Sequence, residues 1–208
     1  MQSVQTFGVI GAGAWGTALA KHLAEKGLDV RLWAHEREVV ESINTAHENR
    51  IFLPGVELPR SLTATASLAE AVDRRDGLLF VVPSHVTRKV LRNLAPCLSR
   101  PIPFISATKG VEEDSSKLMT QVMDEVLPEF MESSVMALSG PSFASELSAG
   151  KPTAVCLAGR DPEAVARFQS AMMTPAFRVY ADSDLIGVQL GGALKNVMAL
   201  AAGVVDGL

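Results

Sequence analysis

The sequence of 208 residues contains few cysteines and few aromatic residues, and neither sign of charge is in large excess. Its two cysteines, Cys97 and Cys156, belong to no C-x-x-C or His/Cys cluster, so neither a disulfide framework nor a metal site is indicated. Aromatic residues make up 5%, so the core must be packed with aliphatic side chains and Met. The net charge of −4 argues against nucleic acid or an anionic membrane as a partner held by bulk electrostatics.

The sequence also lacks a segment typical of a signal peptide or a membrane span. Residues 1–6 do not have the basic-then-apolar layout of a secretion signal. The long apolar stretch at 185–205 carries Lys195 in its middle and is interrupted by four glycines. We therefore expect a cytoplasmic protein in which residues 184–207 form a buried helix.

Short apolar runs alternate with amphipathic stretches, a pattern typical of a mostly parallel sheet covered by helices on both faces. Strands are predicted at 7–10, 30–34, 78–82, 104–106, 135–138, 154–157 and 177–180. Helices are predicted at about 14–26, 37–46, 67–74, 86–94, 118–126, from 162 onward, and 184–207. The prolines and glycine around residues 54–59 predict a loop. The expected fold class is a doubly wound α/β protein.

The first predicted strand leads directly into Gly11-Ala12-Gly13-Ala14-Trp15-Gly16, a G-x-G-x-x-G between a strand and a helix. In that context Gly11 permits the tight turn, Gly13 lets the backbone approach a pyrophosphate, and Gly16 lets the helix pack on the strand. The N–H groups near Ala14 and Trp15 would face the anion. An ordinary glycine-rich turn is the alternative, but the flanking elements favour a dinucleotide-binding, Rossmann-like fold.

The end of the second strand bears on the choice between NADP and NAD. An NAD site usually has Asp or Glu there for the ribose 2′-hydroxyl, whereas this strand ends Trp33-Ala34 and is followed by His35-Glu36-Arg37. His35 and Arg37 can meet a 2′-phosphate, which favours NADP. A solvated helix start explains the same residues equally well.

Lys195 is the only charge in a segment whose other members are expected to be buried. Burying an ammonium group without a partner is costly, which suggests a functional reason. Two glycines one turn earlier leave room for a small ligand beside the side chain. The alternatives are a lysine that reaches solvent or pairs with Asp184 or Asp206. The adjacent Asn196 is more often a packing hydrogen-bonder than a ligand.

Two loops follow predicted strands, where open α/β sheets bind their ligands: Ala107–Gly110 and Ser139–Ala144. Lys109 in the first loop can hold an anion. Ser142 in the second can equally be an N-cap, and each loop alone is more often structural than catalytic. The remaining histidines are assigned to a helix start (His85) and to solvated helix faces (His22 and His47).

Five segments carry a combined pattern: Val9–Ala18, Val81–His85, Ala107–Gly110, Ser139–Ala144 and Gly187–Val197. Together they resemble the NAD(P)-dependent glycerol-3-phosphate dehydrogenases of the bacterial type, over nearly the whole chain. The resemblance implies reversible hydride transfer between NADPH or NADH and dihydroxyacetone phosphate, giving sn-glycerol 3-phosphate for phospholipid synthesis. It also implies a dinucleotide-binding domain at 1–183 and, at 184–208, the first helix of a helical substrate domain whose remainder is absent.

The resemblance implies a role for individual residues. Lys195 would be the catalytic acid–base group, and desolvation, which lowers the pKa of a lysine, suits such a role. Substrate would contact Lys109, Gly140, Ser142 and Asn196. The cofactor would contact Gly11, Gly13, Ala14, Trp15, Gly16, His35, Lys109 and Ala144. The absent part would hold the substrate phosphate and form a homodimer, so we expect this chain to bind dinucleotide but to turn over poorly.

Two alternatives remain from the sequence. A β-hydroxyacid or phosphogluconate-type dehydrogenase also pairs a nucleotide-binding domain with a helix-borne lysine, but the Gly140–Ala144 loop argues against it. A module that senses NAD(P)H without catalysis is the other alternative. It would have no need of an amine at Lys195.

Overall fold

The computed structural model describes residues 3–207, so residues 1, 2 and 208 of the predicted domains lie outside the described part. The strands are β1 Thr6–Ile10, β2 Asp29–Trp33, β3 Glu48–Asn49, β4 Leu53–Glu57, β5 Thr63–Thr65, β6 Gly77–Phe80, β7 Phe104–Ser106, β8 Val135–Ser139, β9 Thr153–Gly159 and β10 Phe177–Asp182. The helices are α1 Ala14–Glu25, α2 Arg37–Ala46, α3 Leu68–Val72, α4 Ser84–Leu94, α5 Met119–Val126, α6 Ala144–Ser148, α7 Pro162–Met172 and α8 Leu185–Asp206.

Eight strands form one sheet in the order β10-β9-β8-β7-β6-β1-β2-β5. All neighbours are parallel except β8 and β9, which confirms the predicted α/β, Rossmann-like, mostly parallel sheet. From β1 the chain first builds outward through β2 and β5 and then returns to add β6 on the other side. This reversal is a topological switch point, where such sheets open a crevice for a ligand at the carboxyl ends of the strands.

The central strands are buried on both faces because helices cover them. Every residue of β6, β7 and β8 is buried, as expected for parallel strands built from continuous apolar runs. On one face Phe7 and Phe168 pack edge to face with their ring centroids 5.7 Å apart. On the other face Phe80 and Phe104 pack at the same centroid distance, 5.7 Å. Phe residues therefore anchor both layers despite the low aromatic content.

One predicted loop is wrong. Leu53–Glu57 forms β4, which pairs with β3 in an antiparallel hairpin of two strands. The hairpin tolerates Pro54 because a two-stranded ribbon has outer edges that need no ladder donor. Gly55 adopts a φ of 76°, in the region that favours glycine. The short β5 was not predicted, since Thr63-Ala64-Thr65 is not an apolar run.

Helix α8 is largely exposed, so the predicted burial of this helix is wrong for this chain. Of its residues only Gln189 and Gly192 are buried, whereas Met198 and Leu200 are 68% and 73% exposed. Its first half packs on the domain: Gln189 exchanges hydrogen bonds with the backbone N–H and the hydroxyl of Thr120. By length and composition α8 is the one helix within residues 3–207 that could cross a membrane. The first part of α8 contacts β8 and β9 of the sheet.

His22 lies in the core rather than on a solvated face, which corrects the sequence assignment. Its Nε2 donates a hydrogen bond to the carbonyl oxygen of Met172 at 2.7 Å, and its ring packs 4.5 Å from that of Phe177. Burial lowers the pKa of His22 because the charged imidazolium would lose its hydration. The neutral ring thus joins α1 to the end of α7. His47, by contrast, is half-buried and ends α2 with a left-handed backbone.

Acidification is expected to weaken the fold through His22. In the unfolded chain His22 titrates at its ordinary value of 6.5, while the folded protein takes up this proton only at lower pH. Its contribution is therefore complete above pH 6.5 and is lost as the pH falls towards the folded pKa. One proton gives a slope of at most about 1.4 kcal/mol per pH unit.

Urea unfolding of the wild type and of His22→Gln, between about pH 7.5 and about pH 5, measures this effect. Gln keeps an amide donor for the Met172 carbonyl but does not titrate, so the free energy of unfolding of the variant is expected to depend less on pH. Equal slopes for the two proteins would show that His22 is not the group responsible.

Candidate active site

The glycine-rich loop, Gly11–Gly16, turns the chain from β1 into α1 over a few residues. Gly11 has a φ of 118°, and a Cβ there would lie 2.5 Å from the carbonyl oxygen of Val81. A Cβ on Gly16 would lie 1.9 Å from the carbonyl oxygen of Gly11. These two positions require glycine for steric reasons. A Cβ on Gly13 would meet no atom within 4 Å, so the loop is open on that side.

Two cavities meet over this loop at Gly13, Val81, Val82 and Pro83, and together we call them the dinucleotide groove. The first, of about 330 Å³, lies towards β2 and α4, and its wall includes Trp33, His35, Phe52 and His85. The second, of about 350 Å³, lies towards β7 and β8, and its wall includes Trp15, Lys109, Ser142 and Ala144. The groove therefore crosses the sheet at its switch point, as the topology predicts.

The groove fits a dinucleotide at its centre. No side chain caps the N-terminus of α1, so the first N–H groups of this 12-residue helix, at Ala14 and Trp15, are available to an anion. The space over Gly13 lets a pyrophosphate approach the backbone. Backbone donors, the helix dipole and open space thus coincide at one point.

Strand β2 ends at Trp33 without an acidic side chain. The acidic residue that lines the first cavity near this point is Glu36, the N-cap residue of α2. His35 is exposed and lines the first cavity, with its ring centroid 6.2 Å from that of Trp33. Arg37 is exposed and does not line this cavity. Of the two basic candidates for a 2′-phosphate, the structure brings His35 to the groove.

Lys109 ties three loops together at the other end of the groove. Its Nζ donates hydrogen bonds to the carbonyl oxygen of Gly140 at 3.2 Å and to Ser142 Oγ at 3.1 Å, and lies 5.4 Å from the ring centroid of Trp15. Burial, together with the nearby charge of Lys195, lowers the pKa of Lys109 to about 8. An anion bound beside this amine would raise the pKa of Lys109 again, because a nearby negative charge favours the ammonium form.

Lys195 extends from α8 towards the same loops. Its Nζ lies 4.9 Å from the ring centroid of Phe143, and its side chain is half-buried. Within residues 3–207 it forms no ion pair with a carboxylate. Asp184, one partner considered from the sequence, instead accepts a hydrogen bond from the N–H of Gly187 at 2.8 Å and caps α8. The amine is thus neither fully shielded from water nor neutralised.

A third cavity, of about 410 Å³, lies between α8, the middle of β9 and the ends of β8 and β10, and Gly140 and Lys195 both line it. Gly192 packs there so closely that a Cβ would lie 2.1 Å from Ser139 Oγ. This Ser139 hydroxyl is buried and has no hydrogen-bond partner among the described residues. Gly192, three residues before Lys195, therefore determines how closely α8 approaches the sheet. The sequence alone did not reveal this contact.

The structure brings most predicted site residues together. The groove holds Gly11, Gly13, Ala14, Trp15, Gly16, His35, Lys109, Ser142 and Ala144, and the third cavity holds Gly140 and Lys195. Asn196 is exposed and lines none of these cavities. Within residues 3–207 no three His, Cys, Asp or Glu side chains are grouped to hold a metal ion.

Alanine at Gly13 and at Gly16 is expected to have opposite effects. Gly13→Ala places its methyl group in the open groove, so the fold keeps its stability while dinucleotide binding weakens by about 10-fold or more. Gly16→Ala drives a methyl group into the Gly11 carbonyl and is expected to destabilise the fold by about 1–3 kcal/mol. Isothermal titration with NADPH and urea unfolding measure the two effects. Equal loss of stability in both variants would contradict the assigned steric roles.

The affinity for dinucleotide is expected to fall as the pH rises above about 8, because Lys109 then loses its charge. Below that pH its ammonium attracts the anionic ligand, and a bound anion shifts the loss to still higher pH. Lys109→Arg keeps a charge throughout this range, so its affinity should vary less with pH. Titrations with NADPH from about pH 7 to about pH 9.5 test this. Parallel pH profiles for wild type and Lys109→Arg would exclude Lys109 as the titrating group.

Comparison with known proteins assigns the chain and its fold to a family. Residues 6–165 match the model of the NAD-dependent glycerol-3-phosphate dehydrogenase N-terminus, and residues 184–208 match the model of the C-terminus of the same family. The chain is 50% identical over 204 residues to a glycerol-3-phosphate dehydrogenase (NAD(P)+) of Geobacter sulfurreducens, covering 98% of this chain and 61% of that protein. A relative of the same name from Bacillus cytotoxicus is 46% identical, over 96% of this chain and 59% of that protein.

Solved structures agree with the sequence comparison. A glycerol-3-phosphate dehydrogenase of Coxiella burnetii superimposes with a TM-score of 0.88 at 34% identity, covering 98% of this chain and 62% of that one. The enzyme of Saccharomyces cerevisiae superimposes with a TM-score of 0.85 at 30% identity, covering 99% of this chain and 64% of that one. The chain thus spans about three fifths of the length of these relatives. It belongs to the NAD-dependent glycerol-3-phosphate dehydrogenase family, an NAD(P)-dependent group of oxidoreductases with a Rossmann-like domain.

Proposed function

We propose that this chain is the dinucleotide-binding domain, residues 1–183, and the first substrate-domain helix, residues 184–208, of an enzyme that interconverts dihydroxyacetone phosphate and sn-glycerol 3-phosphate. The observation that supports this most strongly is the position of Lys109 and Lys195. Lys109 lines the β7–β8 end of the dinucleotide groove, and Lys195 lines the adjoining third cavity, near enough for its charge to act on Lys109. A small anionic substrate between the two cavities can meet both amines. Such an enzyme supplies glycerol 3-phosphate for phospholipid synthesis in the cytoplasm.

A bound nicotinamide supplies the hydride that is exchanged with the carbonyl carbon of the substrate. Lys195 then serves as the acid–base group, giving its proton to the carbonyl oxygen during reduction and taking it back during oxidation. The ring of Phe143 beside the Lys195 amine keeps water from one side of it.

Lys109 holds the substrate rather than exchanging its proton. Its hydrogen bonds to Gly140 and Ser142 fix the amine at the groove, where its charge attracts the anionic substrate. In the same proposal Gly140 and Ser142 contact the substrate through the loop after β8. Asn196, next to Lys195 on α8, joins them from the side of the substrate domain.

The rest of the substrate domain has a defined place in this proposal. The apolar face of α8, with side chains such as Leu194, Met198 and Leu200, is exposed in this chain and needs cover. The helical domain that follows in full-length family members provides that cover, holds the substrate phosphate and forms a homodimer. The 208-residue chain alone is therefore expected to bind dinucleotide but to turn over poorly.

The cofactor is NADP or NAD, and we favour NADP because of the groove itself. His35 lies at the rim of the first cavity, where a ribose 2′-phosphate would be placed. The carboxylate in this part of the wall is that of Glu36, at the start of α2, and β2 itself ends at Trp33 without an acidic side chain. A carboxylate at that position would repel the phosphate and would bind the hydroxyl of NAD instead.

Substitution of Lys195 in the full-length enzyme tests the proposed function. Lys195→Ala is expected to lower kcat for reduction of dihydroxyacetone phosphate by about 100-fold or more, because the proton donor is gone. The Kd for NADPH should change by less than about 3-fold, since the groove is intact. Lys151→Ala, an exposed lysine in the loop before β9, is the matched control and should behave as wild type.

Two results would count against the proposed function. Equal losses in kcat and in cofactor affinity would make Lys195 a binding residue rather than an acid–base group. Binding of NADPH by a full-length wild type that oxidises no NADPH with dihydroxyacetone phosphate would favour a sensing module instead.

A further inference from the structure

Asn49, the last residue of β3, is completely buried beside the glycine-rich loop. Its Nδ2 donates hydrogen bonds to the carbonyl oxygen of Ala12 and to Thr17 Oγ1, each at 2.8 Å. The Thr17 hydroxyl in turn donates to the same Ala12 oxygen at 3.1 Å. One carbonyl inside the G-x-G-x-x-G motif is therefore held by two donors, and one of them comes from a strand 37 residues away.

The other end of the Asn49 amide organises the wall of the groove. Its Oδ1 accepts a hydrogen bond from the N–H of Phe52 at 3.1 Å and so fixes the turn between β3 and β4. Phe52 lines the first cavity of the dinucleotide groove together with Gly11, Ala12 and Gly13. A single buried side chain thus joins the floor of the groove to one of its walls.

The Ala12 carbonyl matters because of the peptide to which it belongs. A trans peptide is planar, and its C=O and N–H point in opposite directions. With the Ala12 oxygen turned towards Asn49 in the interior, the N–H of Gly13 is turned away from the interior. Gly13 is also the residue whose α-carbon faces open space in the groove. Fixing this peptide plane prepares the backbone for a pyrophosphate before any ligand arrives.

We propose that Asn49 is a positioning residue for the dinucleotide, acting through the Ala12–Gly13 peptide, Thr17 and Phe52. This inference rests on the proposed dinucleotide binding and adds to it a residue outside the glycine motif. Asn49 touches no catalytic group and lines none of the cavities described above. Its effect is therefore on how well the groove is ordered in the free protein.

Asn44 provides a matched control. It lies in α2, and its side chain also makes two hydrogen bonds to backbone: Nδ2 donates to the Ala64 carbonyl at 2.9 Å, and Oδ1 accepts from the Ala64 N–H at 2.8 Å. These bonds join α2 to β5, and Asn44 does not line the groove. Each asparagine makes two side-chain hydrogen bonds to backbone, but Asn49 is completely buried and Asn44 is exposed. Asn44→Ala is therefore expected to lose less stability, and only Asn49 acts on the glycine-rich loop.

The test compares ligand affinity with stability in the intact chain carrying Asn49→Ala or Asn44→Ala. NADPH fluorescence gives Kd, and urea unfolding without ligand gives stability. Both variants are expected to lose stability, but only Asn49→Ala should raise the Kd for NADPH, by roughly 10-fold. The Kd for ADP-ribose, which keeps the pyrophosphate, should rise with it, and by more than the Kd for adenosine, which lacks the pyrophosphate and meets only the wall that includes Phe52.

Two substitutions at Thr17 separate positioning from packing. Thr17→Val keeps the shape of the side chain but removes the hydroxyl, so it should raise the Kd for NADPH by about 3-fold or more. Thr17→Ser keeps the hydroxyl but removes a buried methyl group, so it should cost stability while leaving the Kd near that of wild type. If Asn49 and Thr17 served only to stabilise the fold, Kd would not rise in Thr17→Val while staying near the wild-type value in the less stable Thr17→Ser.

The outcomes distinguish the inference from the function on which it rests. Wild type that binds NADPH, with Asn49→Ala and Thr17→Val binding equally well, overturns the positioning role and leaves the proposed function intact. Wild type that binds neither NADPH nor ADP-ribose overturns both. If Asn49→Ala does not fold, the Thr17 pair decides, and equal Kd values for Val and Ser overturn the inference.

Discussion

The close contact between Gly16 and the carbonyl of Gly11 is the constraint on which the site depends. A Cβ at Gly16 would lie 1.9 Å from that oxygen, so only glycine lets α1 begin directly above the end of β1. The first turn of α1 then presents its uncapped N–H groups at the switch point of the sheet. A larger residue would tilt or shift the helix, and the N–H groups would no longer face the groove. The remaining elements of the site are placed relative to this turn.

Two further contacts then fix the other parts of the site around this turn. Lys109 joins the loops after β7 and β8 and lies over Trp15 from the glycine-rich loop. Gly192 lets α8 approach the end of β8 closely enough for Lys195 to line the adjoining cavity. The two amines lie near each other because backbone glycines and part-buried hydrogen bonds hold their supports, and within residues 3–207 neither amine forms an ion pair with a carboxylate. Their mutual repulsion is the electrostatic feature that an anionic substrate would relieve.

The sequence predicts the fold and the glycine-rich loop well because both depend on local patterns. Buried parallel strands such as β6 and β8 are continuous apolar runs, and G-x-G-x-x-G between a strand and a helix has a steric meaning at each glycine. The strand β4 was missed because Pro54 and Gly55 resemble a loop, and only pairing with β3 makes them a hairpin. His22 was misplaced because its partner Met172 is 150 residues away.

In the site, too, residues marked by a local sequence pattern were predicted, and residues defined by contacts between distant segments were not. Lys195 can be recognised in the sequence as a charge within an apolar run, and the loops 107–110 and 139–144 can be recognised because they follow predicted strands. Asn49 gives no such signal, because its hydrogen bonds to Ala12 and Thr17 join segments far apart in sequence. The exposure of α8 was also mispredicted, since composition reports that a helix is apolar but not what covers it.

A crystal structure of the chain with bound NADPH tests the central claim most directly, because it shows where each part of the dinucleotide lies. The account predicts the pyrophosphate against Gly13 and the first N–H groups of α1, the 2′-phosphate near His35, and the nicotinamide at the end of the groove that holds Lys109. A pyrophosphate bound away from the glycine-rich loop, or a nicotinamide at the His35 end, would contradict it.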